Sequence, residues 1–161
     1  SSKAEKLITR QKEIFDNVIP SSNGVMVQNL HHLGILFDRE HWMNLAISMT
    51  DELSHLIYAE PNYMSNWGIV LAELKTGMAE VAFVGKDAIP LKNEFKKHYQ
   101  PFSIFMGTEK SSELPLLQDK VTRTDTAMIY VCYDKTCKQP VTHVPEALLQ
   151  LKNFRTDSKN I

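Results

Sequence analysis

The chain has 161 residues, 43% of them hydrophobic and 23% charged, and a formal net charge of -1 at pH 7. This composition is typical of a soluble globular protein with one ordinary domain or two small units. The 18 basic and 19 acidic side chains nearly cancel, which argues against nucleic acid or an anionic membrane surface as a partner. Charged residues interrupt every apolar stretch before about 18 residues and no signal peptide opens the chain, so a cytoplasmic location is expected.

The N-terminal half of the sequence predicts amphipathic helices. Between residues 22 and 37, apolar side chains recur at spacings of four, three and four, which places them on one helical face. This predicted stripe consists of Met26, Leu30, Leu33 and Phe37. The polar residues after Pro20 supply the helix cap. A connection of only four residues, 38–41, leads to a second stripe and predicts two antiparallel neighbouring helices. The second stripe is Trp42, Leu45, Ala46, Met49, Leu53 and Leu56.

A third helix is predicted over residues 65–75, with Gly77 placed to end it. Beyond residue 79 the pattern changes to short apolar runs at 81–85, 102–106 and 127–133, which are typical of strands. Helices are predicted after the first run, near Pro90, and after the last run, from Pro145. The expected fold class is therefore α/β, with N-terminal helices followed by a small, mainly parallel, three-stranded sheet with crossover helices.

The expected domain organisation has three parts. Residues 1–77 form a helical segment, residues 78–154 form a small α/β unit, and residues 155–161 form a flexible tail. The stretch 108–126 is mostly polar and predicts a loop, apart from an apolar patch at 114–117.

A loop dense in short polar side chains, residues 16–23, precedes the first helix. Asp16 could act as an acid or base, and Ser21 and Asn23 could hold sugar hydroxyls at a helix mouth, with Asn17 beside them. The alternative is a helix cap with a turn in front. Glycosidase chemistry usually needs a second carboxylate across the substrate, and none can be paired with Asp16, so capping is favoured.

Cys132 and Cys137 are the only cysteines, separated by four residues rather than the two of a thioredoxin-type pair. A structural role is favoured over thiol, disulfide or metal chemistry, because a closed zinc site usually takes four ligands and only His143 lies nearby. His31 and His32 occupy adjacent helical positions and are not expected to face one site together. No cofactor and no metal site is predicted, and the catalytic residues remain unassigned.

Two segments, KEIFDNVIPSSNGVM at 12–26 and YVCYDKTCKQPVT at 130–142, flank the strand EVAFVG at 80–85. In this order they resemble the C-terminal part of the YyaL and spermatogenesis-associated thioredoxin-domain proteins. The resemblance spans the chain up to about residue 154. It implies a parent protein with a thioredoxin-like domain, an (α/α) barrel similar to six-hairpin glycosidases and sugar epimerases, and a final α/β piece.

By this resemblance the chain holds the last barrel hairpins and the final α/β piece. Near the barrel mouth would lie Asp16, Pro20, Ser21 and Asn23, and Cys132 and Cys137 would match the family's cysteine pair. The chain is then a C-terminal fragment that is non-catalytic alone, and its partners are the missing N-terminal domains. The alternatives are part of a carbohydrate-active enzyme and a thiol or metal site at the cysteines. Exposed barrel helices would make the fragment self-associate as a two-fold dimer.

Overall fold

The computed structural model describes residues 12–118, 120 and 126–157. Within these residues it contains five α-helices, a short 3-10 turn and a four-stranded sheet. The helices are α1 (Ser22–Leu36), α2 (Glu40–Ala59), α3 (Ser65–Thr76), α4 (Ala88–Phe95) and α5 (Val144–Asp157). The strands are β1 (Ala79–Val84), β2 (Ser103–Thr108), β3 (Met128–Tyr133) and β4 (Thr136–Cys137). The predicted α/β class is confirmed at this level.

Helices α1, α2 and α3 pack on one another around a core of their own. Trp67 and Met64 are its largest fully buried side chains. The other buried members are Val27, Ala46, Ile57, Val70 and Leu71. Each of the three helices contributes to this core, so the helical segment is held together largely by contacts among residues 27–71. Among the described residues, no helix is both long and apolar enough to cross a membrane.

The buried face of α1 differs from the predicted one. The residues that face α2 and α3 are Gly24, Val27, His31 and Gly34. The predicted stripe instead points largely outward, with Met26 53%, Leu33 40% and Phe37 44% exposed. Helix α1 carries apolar side chains on several faces, so spacing alone does not decide which face is covered. Small residues decide which face of α1 is covered, because only a residue without a side chain fits at the contact with α2. A Cβ at Gly34 would lie 2.6 Å from Met43 Cγ and leave no room there.

The sheet has the strand order β2-β1-β3-β4, and it is mixed rather than mainly parallel. Strand β1 pairs in parallel with β2, across the α4 crossover, and antiparallel with β3. Strand β4 pairs antiparallel with β3. The prediction of three mainly parallel strands is therefore corrected. The sequence of an apolar strand that is buried on both faces does not reveal whether its neighbours run parallel or antiparallel to it. The two exposed residues of β4 carry no strand pattern.

Strand β1 lies in the centre of the sheet and is buried on both faces. Val81 and Phe83 face a core that includes Phe95 of α4 and Leu151 of α5. Ala82 and Val84 face the opposite side, where the patch at 114–117 covers the sheet. Helix α5 continues to Asp157, into the segment predicted to be a tail. Residues 158–161 of that predicted tail, and residues 1–11 of the predicted helical segment, lie outside the described part of the chain.

Candidate functional site

A cavity of about 480 Å³ lies between the helical segment and the β3–β4 hairpin. Its wall includes His31 of α1, Met43 of α2 and Glu73 of α3 on one side. On the other side it includes both cysteines of the hairpin. The cavity therefore brings a buried carboxylate with an imidazole and a sulfur pair to the walls of the same open cleft, although these groups are far apart in the sequence.

Glu73 is a buried carboxylate that three side chains of α1 approach. His31 Nδ1 lies 3.2 Å and His32 Nε2 lies 2.9 Å from Glu73 Oε2, and Gln28 Nε2 donates to Glu73 Oε1 at 3.1 Å. An ionised carboxylate only accepts hydrogen bonds, so the facing ring nitrogens are the donors. The expectation that His31 and His32 cannot face one site is wrong. Adjacent helical positions diverge by about 100°, but both side chains reach a group on α3 that lies between them.

The hydrogen bonds keep Glu73 charged despite its burial. Burial raises the pKa of the Glu73 carboxyl, but the hydrogen bonds from the two histidines and Gln28 outweigh it and lower the pKa from 4.5 to about 2. The side chain is therefore an anion at neutral pH, enclosed among apolar residues and polar donors. Glu73 was not among the site residues predicted from the sequence. The available signal was a charged residue within the apolar run of the third helix, three positions after Val70.

Asp16 joins the N-termini of two helices. Its Oδ1 accepts from the Ser21 amide at 2.9 Å, and its Oδ2 accepts from the Asn66 amide at 2.8 Å and from Ser65 Oγ at 3.3 Å. Helix α3 has no capping side chain of its own, because its N-cap position is Met64. Asp16 therefore serves as the cap of α3 from a distant part of the chain.

The electrostatics of Asp16 agree with this capping role. Burial raises the pKa of the carboxyl, but hydrogen bonds from the backbone of Ser21 and Asn66 outweigh it and hold the pKa below its usual value of 3.8. The amide ends of two helix dipoles favour the same ionised form. Asp16 is thus a buried, permanently charged hydrogen-bond acceptor at neutral pH.

The other residues of the predicted sugar pocket lie around Asp16 but make mostly structural contacts. Ser21 is buried and caps α1 by accepting from the Gly24 amide at 3.2 Å. Asn23 Nδ2 donates to the Glu13 carbonyl at 2.7 Å, and the Asn17 amide donates to the Ile19 carbonyl at 3.0 Å. These contacts match the capping alternative. A sugar-binding role for the loop remains a prediction from the sequence.

Cys132 and Cys137 are joined in a disulfide across the β3–β4 hairpin. They are register partners, with Cα atoms 3.9 Å apart. The hairpin turns at Asp134 and Lys135, which both have positive φ, as a two-residue type I′ turn requires. Because such a turn pairs the residues on either side of it, four intervening residues bring two cysteines opposite one another. This hairpin was hard to predict from the sequence, since the turn lacks the usual Asn-Gly or Asp-Gly pair.

Replacing both Cys132 and Cys137 by Ser is expected to lower the free energy of unfolding by about 2 kcal/mol. The bridge closes a loop of only six residues, for which the loss of chain entropy on cross-linking is of this size. Urea denaturation of the double variant and of the oxidised wild type measures the difference. Thiol titration of the denatured, unreduced wild type should find no free thiol. Two free thiols in that sample would contradict the bridge.

The hairpin also contacts the helical segment. Lys135 Nζ lies 2.6 Å from Asp38 Oδ1, in the connection between α1 and α2. This hydrogen bond to Asp38 is the main reason that the pKa of Lys135 is raised. The pair is exposed, so its contribution to stability is small. It nevertheless joins the two sides of the cavity at its rim.

Comparison of the chain with protein-family models, with curated proteins and with solved structures gave no match. The fold and the cavity thus define the molecule as an α/β protein with an N-terminal three-helix segment. An assignment of the chain to a family or a function therefore depends on its own residues.

Proposed function

We propose that this chain is the C-terminal part of a larger protein of the YyaL and spermatogenesis-associated thioredoxin-domain type, and that it is non-catalytic alone. In this proposal its helices support preceding helical hairpins of an (α/α) barrel. The observation that carries the proposal is the distribution of exposed apolar side chains. Of the fourteen exposed large hydrophobic residues in the described chain, twelve lie between Phe15 and Ile69, and only Tyr99 and Leu149 lie beyond.

Three exposed apolar residues, two on α1 and one at its C-cap, form an outward stripe, defined here as Met26, Leu33 and Phe37. A helix that is apolar on several faces is typically buried on several faces. One face of α1 is covered by α2 and α3, while the side chains of the outward stripe stay about two-fifths to one-half exposed. Leu45 of α2 is also about two-fifths exposed, whereas Ile47, exposed to the same extent, lines the cavity. A neighbouring pair of helices in the parent protein would bury this surface.

The two alternative functions have weaker support. The carboxylate oxygens of Asp16 are engaged by the N-termini of α1 and α3, so the contacts of this loop do not favour sugar chemistry. The cysteines are bonded to each other, which leaves neither as a thiolate ligand or nucleophile in this state. A cytoplasmic location is part of our proposal, and there the bridge would be subject to reduction.

We expect the isolated chain to self-associate through the outward stripe, as a two-fold dimer, at roughly tens of micromolar. The double variant Met26→Asp, Leu33→Asp places two charges on the stripe and should weaken dimerisation at least about tenfold, because a buried unpaired charge is costly. Light scattering coupled to size-exclusion chromatography measures the mass at several concentrations.

The matched control is Leu149→Asp, at an exposed position of α5 outside the helical segment. This variant should dimerise like the wild type. A wild type that stays monomeric over this concentration range, or a stripe variant that dimerises unchanged, would count against the proposal. Sequencing the upstream reading frame tests the family assignment separately, since a thioredoxin-like domain followed by further helical hairpins is expected there.

A further inference from the structure

We propose that His31, His32 and Glu73 form a binding site for one Zn²⁺ ion at the wall of the cavity. The three side chains each offer one ligand atom, and these atoms all lie within 4.8 Å of one another. This inference rests on the contacts between α1 and α3. It is independent of the family assignment and of the outward stripe, which lies on another face of α1.

The ligand set suits zinc. Two imidazoles and one carboxylate are a known protein ligand set for Zn²⁺ in sites that keep a further position for water or substrate. Tetrahedral zinc with ligands at about 2.0–2.1 Å holds its ligand atoms about 3.3 Å apart. The two separations from Glu73 Oε2, 3.2 Å to His31 Nδ1 and 2.9 Å to His32 Nε2, are already close to that value. The ion would replace the hydrogens that the imidazoles donate.

The surroundings of Glu73 also fit a metal ligand. Gln28 Nε2 donates to the carboxylate oxygen that the histidines leave free, and so fixes the orientation of the group. Gln28, His31 and His32 lie within about one turn of α1, so a single helix presents two ligands and the orienting amide. His31 takes a position on the buried face of α1 that an apolar residue would fill in an ordinary helix contact.

The cavity gives the site access to small molecules. His31 and Glu73 line it, and its volume of about 480 Å³ is within the range of small-molecule pockets. An ion held by three protein atoms retains a coordination position for a water molecule or for an anionic oxygen of a ligand.

Isothermal titration of the full chain with Zn²⁺, after treatment with EDTA and without reductant, tests the site. The absence of reductant keeps Cys132 and Cys137 bridged, so that thiolates do not bind the metal. We expect one equivalent with a Kd of about 10 µM or below. Titration with Co²⁺ should give the visible absorption of a low-coordinate site.

The informative variant is His32→Ala, because the His32 side chain is one-third exposed and its loss leaves the core intact. It should weaken Zn²⁺ binding at least about tenfold with an unchanged circular dichroism spectrum. His41→Ala and His55→Ala are the matched controls, since both residues are exposed on α2, and they should bind like the wild type. Absence of one-equivalent binding in the wild type, or equal binding by His32→Ala, would overturn the proposal.

Discussion

Asp16→Asn should lower the free energy of unfolding by about 2–4 kcal/mol, even though it changes one carboxylate oxygen to an amide nitrogen. The carboxylate accepts from the Ser21 amide with one oxygen and from the Asn66 amide with the other. An asparagine has one acceptor oxygen, so one of these buried amides would face a second donor. The substitution therefore weakens the hydrogen bonding at the N-termini of both α1 and α3. It also removes the negative charge that both helix dipoles favour.

Urea denaturation at pH 7 measures this difference. Asp51→Asn, at an exposed position of α2, is the matched control and should stay within about 0.5 kcal/mol of the wild type. Ser65→Ala removes only the longest of the three bonds to Asp16 and should cost about 1 kcal/mol or less. An Asp16→Asn variant as stable as the wild type would show that the loop does not cap α3.

The same carboxylate predicts a dependence of stability on pH. Because the pKa of Asp16 is lower in the folded chain than its usual 3.8, its contribution is complete above about pH 4 and is lost as pH falls through the folded value. The wild type should therefore lose more stability than Asp16→Asn between about pH 5 and pH 2. Equal losses in the two proteins would argue against a lowered pKa.

Two glycine-to-alanine substitutions are expected to change stability in opposite directions. At Gly34 the added Cβ would lie 2.6 Å from Met43 Cγ and 3.1 Å from the Met43 backbone nitrogen. Backbone cannot move aside as a side chain can, so α1 and α2 must separate, at a cost of about 1–3 kcal/mol. At Gly68 the nearest atom, Ile57 Cγ2, is 4.0 Å away. There the higher helix propensity of alanine should stabilise the protein by about 0.5–1 kcal/mol.

Thermal and urea denaturation of the two variants side by side tests this pair. Each substitution adds one methyl group within a helix, so Gly68→Ala controls for the general effect of alanine. Stabilisation by Gly34→Ala would mean that α1 and α2 are far enough apart at this contact to accept an added methyl group. Destabilisation by Gly68→Ala would mean that the α3 surface near Ile57 is more crowded.

The positions of the helices and most strands could be predicted from the sequence, because apolar spacing, Pro20 and Gly77 mark their limits. The face of α1 that is buried could not be predicted in this way. Its predicted stripe is continuous and apolar, but the choice of face was decided by the missing Cβ of Gly34, which is a contact between helices and not a local pattern. The direction of β3 likewise depends on its pairing with β1 and not on its own composition.

Among the site residues, too, local features could be predicted from the sequence and contacts between distant segments could not. Short polar residues before a helix indicated the cap at Ser21, and the structure has it. The remote role of Asp16 at α3 depends on a contact between residues fifty positions apart, which no local pattern reveals. The meeting of His31 and His32 at Glu73 required the packing of α1 on α3, and periodicity within one helix argued against it.

The central position of β1 has a consequence for synthesis from the N-terminus. The helical core needs nothing beyond α3, so it can form while the ribosome is still adding the sheet. Strand β1 follows directly, but its neighbours are β2 and β3, and β3 ends only at Tyr133. Until then strand β1, which is buried on both faces in the folded chain, has at most its β2 neighbour. This interval is therefore the period when the nascent chain is most open to aggregation and to chaperone binding.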